Sequence, residues 1–306
     1  MIKVFTVNSA CPQFVELQLA SFKKHLQEDF EYTVFNGETL NTDTEIGKEV
    51  SKVCRSLSVQ IIEVQRDESL ETRWSKISWG RKLFDKNGRF KEPVDTSSSC
   101  ADYMQYWAWE KVISKERGPV LFTHSDVFLT EPIKLTDYLQ EHPLCFVPRI
   151  GYAPSNLQLS PIIHMGEDFV LADMPKLPNP ETMNWFPALE TVEGRVTIFG
   201  GCTYYWLQAH PEIKWLEIPV VDSNFDDPNV DFHPARYQFF KLGDKRILHY
   251  LSGSQVPCRQ TKEGHEHVSI QEADEYHKKK IAWARRVIGI DEDRITVFQK
   301  SLTPEY

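Results

Sequence analysis

A strand, a helix and a second strand follow one another at the start of the chain. Lys3–Asn8 alternates and is rich in β-branched residues, a helix is predicted from Pro12, and Glu31–Phe35 is a second strand-like run that ends at Asn36-Gly37. Two successive strands joined through a helix pair in parallel, and the helix covers one face of their sheet. The chain is therefore predicted to be an α/β protein built on a parallel sheet.

The predicted sheet continues, and its first two strands end in polar residues. Thr44–Arg55 is predicted as a helix and Ser58–Val64 as a third strand. In open α/β sheets, ligands bind outside the carboxyl ends of the strands. We therefore expect a nucleotide base and ribose to lie over this edge, against these residues: Thr6, Val7, Asn8 and Asn36. No G-x-G-x-x-G follows the first strand and no G-x-x-x-x-G-K-[ST] occurs, so such a nucleotide is held without those motifs.

Gly118–Pro132 contains a short apolar strand that leads directly into groups capable of chemistry. Val120–Phe122 is bounded by Gly-Pro before it and by His124-Ser125-Asp126 after it. A carboxylate and an imidazole therefore leave the predicted sheet at a strand end. Arg246–Ser254 repeats this arrangement, with His249 after the apolar pair Ile247-Leu248 and a loop of small residues behind it.

These two segments resemble motifs of GT-A glycosyltransferases. His124-Ser125-Asp126 resembles the DxD segment with its first acid replaced, and His249-Tyr250 with the following loop resembles the C-terminal HY/HF-x-G segment of the metal-dependent members. The resemblance implies that Asp126 and His249 bind a divalent metal and that the other residues of both segments contact the donor: His124, Ser125, Ser252, Gly253 and Ser254. His124 could hydrogen-bond ribose but supplies no charge, which implies some loss of metal affinity.

The resemblance also implies a fold and a reaction. The expected fold is GT-A-like and Rossmann-related, with a mixed, mostly parallel central sheet flanked by helices. The expected reaction moves a hexosyl or pentosyl group from a nucleotide-sugar, with a UDP-sugar as the expected donor, to a glycan or other hydroxyl acceptor. A divalent ion stabilises the charge that develops on the diphosphate leaving group. Oxygen ligands suit Mg²⁺ or Mn²⁺, and the imidazole favours Mn²⁺.

Acidic residues elsewhere in the chain are candidates for further roles. An inverting enzyme needs a carboxylate beside the acceptor hydroxyl as general base. Asp222 directly follows the predicted strand Trp215–Val221 and is the first candidate, while Asp231 is the second and is equally suited to capping a helix. Asp226 and Asp227 precede Pro228 and are typical turn residues. Asp102 either closes a capping box with Ser99 or lies beside the nucleotide.

Composition limits the remaining possibilities. The chain has 306 residues, 41% of them hydrophobic, which is enough for one large core. We expect a catalytic domain over 1–255 and a helical extension over 256–306 that packs on it, the two forming one structural unit. The net charge of −9 argues against nucleic-acid binding. Scattered cysteines and the lack of a signal or membrane-spanning pattern predict a cytoplasmic protein.

Alternatives to a glycosyltransferase remain open. The replaced first acid would also suit a catalytically silent nucleotide- or glycan-binding protein. A nucleotidyltransferase on a related fold would need a Gly- and Lys/Arg-rich loop after the first strand, and VNSACPQF is not one. A basic stripe, Lys278–Lys280 with Arg285 and Arg286, is either a solvated helix face or a peripheral contact with an anionic membrane or glycan.

Overall fold

The computed structural model describes most of the chain, and the strands and helices given below are those of the described residues. The described residues are 1–8, 11–37, 44–67, 97–151, 162–185, 200–224, 227–232, 236–251, 258–261, 264–267 and 269–290. The strands are β1 (Ile2–Asn8), β2 (Phe30–Asn36), β3 (Gln60–Glu63), β4 (Pro119–His124), β5 (Val127–Leu129), β6 (Leu144–Gly151), β7 (Ile162–Asp173), β8 (Trp215–Glu217), β9 (Val220–Asn224), β10 (Tyr237–Leu242), β11 (Lys245–His249), β12 (Cys258–Thr261) and β13 (Gly264–His267). The α-helices are α1 (Pro12–His25), α2 (Thr44–Ser56), α3 (Ser97–Lys111), α4 (Thr203–Ala209) and α5 (Ile270–Ile288).

The central sheet is mixed and mostly parallel, which confirms the predicted fold class. Within the described residues it has seven strands in the order β3-β2-β1-β4-β7-β6-β8. The first four are parallel to one another, β7 is antiparallel to both β4 and β6, and β8 is parallel to β6. Strands buried on both faces are continuous apolar runs, and β4 accordingly has Val120, Leu121 and Phe122 fully buried.

A second, smaller sheet lies beside the central one. Its described strands are antiparallel in the order β5-β11-β10-β9. Side chains alternate between the two faces of such strands. Val127, Leu129 and Ile247 pack into the same core as the central sheet, whereas Phe128 and Leu248 pack with α1 and α5. The small sheet therefore joins the central sheet to the C-terminal helix.

Helix α5 has clear sequence signals at both ends. Ser269 and Glu272 form a capping box at its start, and Gly289 ends it in the left-handed conformation at φ 73°. Its apolar face buries Ile281, Ala284 and Ile288. Lys280 and Arg285 are also buried, so the predicted basic stripe does not form one exposed face.

Several predicted elements need correction. The predicted strand Trp215–Val221 is two strands, β8 in the central sheet and β9 at the end of the small sheet, because the chain leaves one sheet for the other at Ile218-Pro219. The segment before α5, which we expected to belong to a helical extension, contains β13, paired with β12. Across the described parts of the chain, no helix combines the length and the apolar character that crossing a membrane requires.

Candidate functional site

The carboxyl end of β4 forms the base of the site. Val7 of β1 pairs with His124 of β4, and the Ser125 amide donates to the Val7 carbonyl at 3.2 Å. Strand β7 is antiparallel to β4 and begins beyond the last residue of β4. Its first half therefore extends past this edge of the sheet. Thr123 pairs with Phe169, which places Asp168 of β7 next to His124.

The small sheet brings His249 to the same place. His249 pairs with Val127 of β5, just after the turn that carries Asp126, and the Tyr250 amide donates to the Asp126 carbonyl at 2.9 Å. The His249 ring packs against the Phe240 ring, with 5.1 Å between the ring centroids, on the face of the small sheet that points toward the central sheet. Two segments that are far apart in the chain therefore meet, as expected.

Four side chains form the centre of the site. His124, Asp168 and His249 each offer one donor atom, and these atoms lie within 4.8 Å of one another. Asp126 Oδ1 lies 3.6 Å from His249 Nε2. Asp168 Oδ1 lies 3.8 Å from His249 Nε2 and 3.8 Å from His124 Nδ1. Two imidazoles and two carboxylates with this spacing can hold a divalent metal ion.

Asp168 is a buried carboxylate held by an arginine. Arg149 Nη2 donates to Asp168 Oδ2 at 2.5 Å, and the Asp168 side chain is 3% exposed. Burial alone would raise the pKa of Asp168, but Arg149 and the imidazoles of His249 and His124 outweigh it and lower that pKa. Asp168 is therefore a carboxylate at neutral pH, with Oδ2 on Arg149 and Oδ1 facing the imidazoles.

His124 is held from the other side by helix α3. The Gln105 side-chain amide contacts His124 Nε2. The contacting atom of Gln105 is its amide nitrogen, and the other ring nitrogen of His124, Nδ1, lies 3.8 Å from Asp168 Oδ1. Burial lowers the pKa of His124, although Asp168 and Asp126 oppose that shift. The ring is therefore neutral at pH 7, the form in which imidazole binds metals.

Gln18 of α1 supports the turn that carries Asp126. Its Nε2 donates to the carbonyls of His124 at 2.6 Å and Val127 at 2.8 Å, and its Oε1 accepts from the Tyr32 hydroxyl at 2.7 Å. One fully buried side chain thus fixes the backbone on both sides of Ser125-Asp126.

Lys280 of α5 supports the chain just after His249. Its Nζ donates to the Leu251 carbonyl at 3.0 Å and lies 3.9 Å from the centroid of the Tyr250 ring. Leu251 has φ 62°, a conformation that costs energy for a branched residue. Burial lowers the pKa of Lys280, and Asp126 opposes this shift. The C-terminal helix thereby helps to position the site.

The residues predicted to hold the base and ribose share the expected edge. Asn8 pairs with Asn36 across β1 and β2, and Val7 with His124 across β1 and β4. Thr6, Asn8 and Asn36 are buried. The Asn8 amide bonds the backbone of Cys11, and the Asn36 amide donates to Ser51 at 3.0 Å and to Glu63 at 3.3 Å. Both asparagines thus hold the strand ends in place.

The predicted general bases lie outside this cluster. Asp222 is within β9, opposite Phe239, and forms an exposed ion pair with Arg246 at 2.5 Å. Since Gln238 pairs with His249 and its neighbour Phe239 with Asp222, the Asp222 side chain points to the other face of the small sheet from His249. Asp231 is exposed and lies 3.7 Å from Arg286 Nη2. Asp227 accepts from Tyr237 and from the Asn229 amide, as a turn residue does.

Some predictions fall outside the described part of the chain, and one site residue was missed. Ser252, Gly253, Ser254, Asp226 and the side chain of Asp102 are not described. Asp168 was not predicted from the sequence. A signal for it exists, since Asp168 precedes the apolar run Phe169–Ala172. Recognising it required knowing that this run is antiparallel to β4.

Comparisons with known proteins add a distant structural similarity. No protein-family model matches the chain, and no curated protein sequence matches it. Among solved structures, the chain is similar to the crystal structure of mouse xyloside xylosyltransferase 1 in its apo form. The TM-score is 0.38, the identity is 10%, and the match covers 71% of this chain and 84% of that chain. A similarity at this level does not assign an activity.

Proposed function

We propose that the chain is a glycosyltransferase that uses a nucleotide-sugar donor, with a divalent ion held at His249 and Asp126. The observation that carries this proposal is the 3.6 Å approach of His249 to Asp126 at the carboxyl end of β4. The two segments were selected from the sequence because each resembles a glycosyltransferase motif. If these resemblances were due to chance, nothing would require the two distant segments to lie together in the fold.

The residues present fit a divalent ion. His249 and Asp168 are buried, and no hydrogen bond joins either to the other or to His124 in the described structure. Buried polar groups at such distances normally form a hydrogen bond or share a ligand. When bound, a divalent ion would supply charge that stabilises the diphosphate as it leaves the sugar.

The chain's own residues would then have separate tasks. Asp126 and His249 would hold the ion at the carboxyl end of β4. The ends of β1 and β2, from Thr6 to Asn8 and at Asn36, would provide the floor under the base and ribose, with UDP as the expected nucleotide. Gln18 and Lys280 would keep the two ligand-bearing segments at a fixed distance, because precise positioning is a large part of catalysis.

A ligand screen tests the proposal. The chain is heated with UDP-, GDP-, CMP- and dTDP-sugars, each with and without Mn²⁺, and donor hydrolysis is measured for any nucleotide that stabilises it. One nucleotide class should raise the melting temperature in the presence of Mn²⁺, with about 2.7 kcal/mol of stabilisation expected at 100 times its Kd. Asp126→Ala should remove this effect. Asp173→Asn, which changes an ion-paired carboxylate at the far end of β7, should not. If no sugar nucleotide stabilises the chain, the proposed function is wrong.

A further inference from the structure

The site offers as many imidazole nitrogens as carboxylates, whereas an acidic metal motif offers carboxylates alone. Two imidazoles, His124 and His249, face two carboxylates, Asp126 and Asp168. An ion bound through one or two carboxylates usually depends on substrate phosphates for its remaining ligands. Here the protein offers four side chains of its own.

We propose that His124, Asp168 and His249, with Asp126 at their edge, form a chelating site that binds a transition-metal ion before any nucleotide is present. His124 is then a metal ligand rather than a ribose contact, and its substitution for the first acid changes the kind of ion bound instead of weakening the site.

The spacing of the donor atoms supports this assignment. Two donors that each lie about 2.1 Å from one ion are roughly 3.0–3.4 Å apart. The observed separations around Asp168 Oδ1 and His249 Nε2 are 3.6 to 3.8 Å. Contraction by about half an ångström would bring each of these three pairs to that spacing, and the His124 and His249 donor atoms lie within 4.8 Å of each other.

The surrounding contacts suit a metal site as well. Ligating carboxylates and imidazoles are normally oriented by a second layer of hydrogen bonds. Asp168 has its second oxygen on Arg149, and His124 has its second nitrogen on Gln105. These contacts occupy the atoms that face away from the cluster and leave Asp168 Oδ1 and His124 Nδ1 facing into it.

The chemistry of the donors predicts which ion binds. Imidazole suits Zn²⁺, Fe²⁺ and their neighbours in the transition series, whereas Mg²⁺ favours oxygen ligands and loses its water reluctantly. We therefore expect Zn²⁺ and Co²⁺ to bind more tightly than Mn²⁺. Mg²⁺ should not bind measurably at concentrations that saturate Mn²⁺. The presence of the metal site does not depend on the proposed function. Only the role of the bound ion rests on it.

Calorimetry on the full chain, stripped of metal with a chelator and free of nucleotide, tests the inference. Zn²⁺, Co²⁺, Mn²⁺ and Mg²⁺ are titrated separately, and the visible absorption of the Co²⁺ form reports nitrogen ligation. One equivalent of Zn²⁺ or Co²⁺ should bind. His124→Gln and Asp168→Asn should each weaken binding by about tenfold or more, the lower bound expected even for outer contacts.

Matched variants separate a specific loss from a general one. Asp173→Asn alters a carboxylate of the same strand, ion-paired to Lys176 at 2.8 Å, and should leave the titration unchanged. Circular dichroism is recorded for each variant to check that it folds. If Asp168→Asn does not fold, the test rests on His124→Gln, which leaves the Arg149–Asp168 ion pair intact.

Two results would overturn the inference. One is binding of Zn²⁺ and Co²⁺ only after a nucleotide is added. The other is stoichiometric binding that neither His124→Gln nor Asp168→Asn affects. A chain that binds metal in this way but hydrolyses no sugar nucleotide would remove the proposed function and leave the metal site in place.

Discussion

Individual carboxylates in this chain have different surroundings, and these surroundings predict their roles. Asp168 is buried between two imidazoles and an arginine, whereas Asp222 is 47% exposed and paired with Arg246 on the opposite face of the small sheet. A group that acts on substrate must reach the reacting atoms. Position at a strand end, which favoured Asp222 in the sequence, does not indicate toward which face the side chain points.

The first prediction is that Asp222→Asn leaves sugar transfer within a few-fold of the wild-type rate. An exposed ion pair contributes only about 0–1 kcal/mol to stability, so the variant should also fold normally. Transfer and donor hydrolysis are measured under conditions limited by chemistry, beside Asp126→Ala as the variant expected to lose both. A loss of about 100-fold or more in Asp222→Asn would instead identify it as a general base.

His164 predicts a pH dependence of stability. It is fully buried on β7, and burial lowers its pKa from 6.5 to about 4, with Arg149 acting in the same direction. The unfolded chain therefore takes up this proton first as the pH falls. The stability contributed by neutral His164 is present above about pH 6.5 and is lost as the pH falls toward 4. For this group, the free energy of unfolding decreases by about 2 kcal/mol between pH 7 and pH 5.

Urea unfolding of the metal-free chain at pH 7 and pH 5 measures this change. His164→Gln should show a smaller loss of stability between the two pH values than the wild type. His210→Gln, which alters a histidine beside exposed Glu212, is the control and should retain the wild-type loss. Equal losses in the wild type and His164→Gln would contradict the assignment.

Helix α1 acts on the site as an element. Gln18 bonds the backbone on both sides of Ser125-Asp126, and Ser21, one turn later, accepts from the Leu129 amide at 2.7 Å. The helix that links β1 to β2 therefore also fixes the turn after β4. This coupling explains why a polar, fully buried residue occupies the inner face of a helix.

Gln18→Met should consequently weaken both folding and metal binding. The substitution removes two donors and one acceptor from buried partners, and each buried group left without a partner costs about 1–3 kcal/mol. Denaturant unfolding and Mn²⁺ titration provide the two measurements. Gln13→Met, half-buried on the same helix, is the matched control. Destabilisation without any change in metal affinity would show that Gln18 supports the core alone.

The sequence predicted the elements of this fold better than their arrangement. Strands with apolar runs and polar ends, such as β1, β2 and β4, were predicted because each carries its own pattern. Strand β9 was merged with β8, since two edge strands in different sheets are separated by only Ile218-Pro219. Asp168 was missed because its closeness to His124 depends on the antiparallel direction of β7, which no local pattern encodes.

At the scale of the whole molecule, the C-terminal helix belongs to the same structural unit as the site. Tyr276, Ile281, Ala284 and Ile288 of α5 are buried in one cluster with Phe14 of α1 and Phe128 of β5. The backbone carbonyl of Ile288 accepts from His25 Nε2 at 2.8 Å, and that of Gly289 accepts from Lys24. We therefore propose, as the sequence led us to expect, that the C-terminal extension folds as one unit with the catalytic domain through α5.

Removal of the C-terminal segment after residue 268 should therefore abolish folding, not merely activity. Each large apolar side chain buried by α5 contributes about 1.5–3 kcal/mol, whereas a whole domain is stable by only about 5–15 kcal/mol. Solubility and cooperative thermal unfolding are compared with the intact chain. Ala284→Glu, which places a charge on the buried face of α5, should reproduce the loss, while Lys279→Glu on its exposed face should not. A shortened chain that remains soluble and unfolds cooperatively would contradict the one-unit proposal, because the core shared by α1, β5 and α5 would then be dispensable.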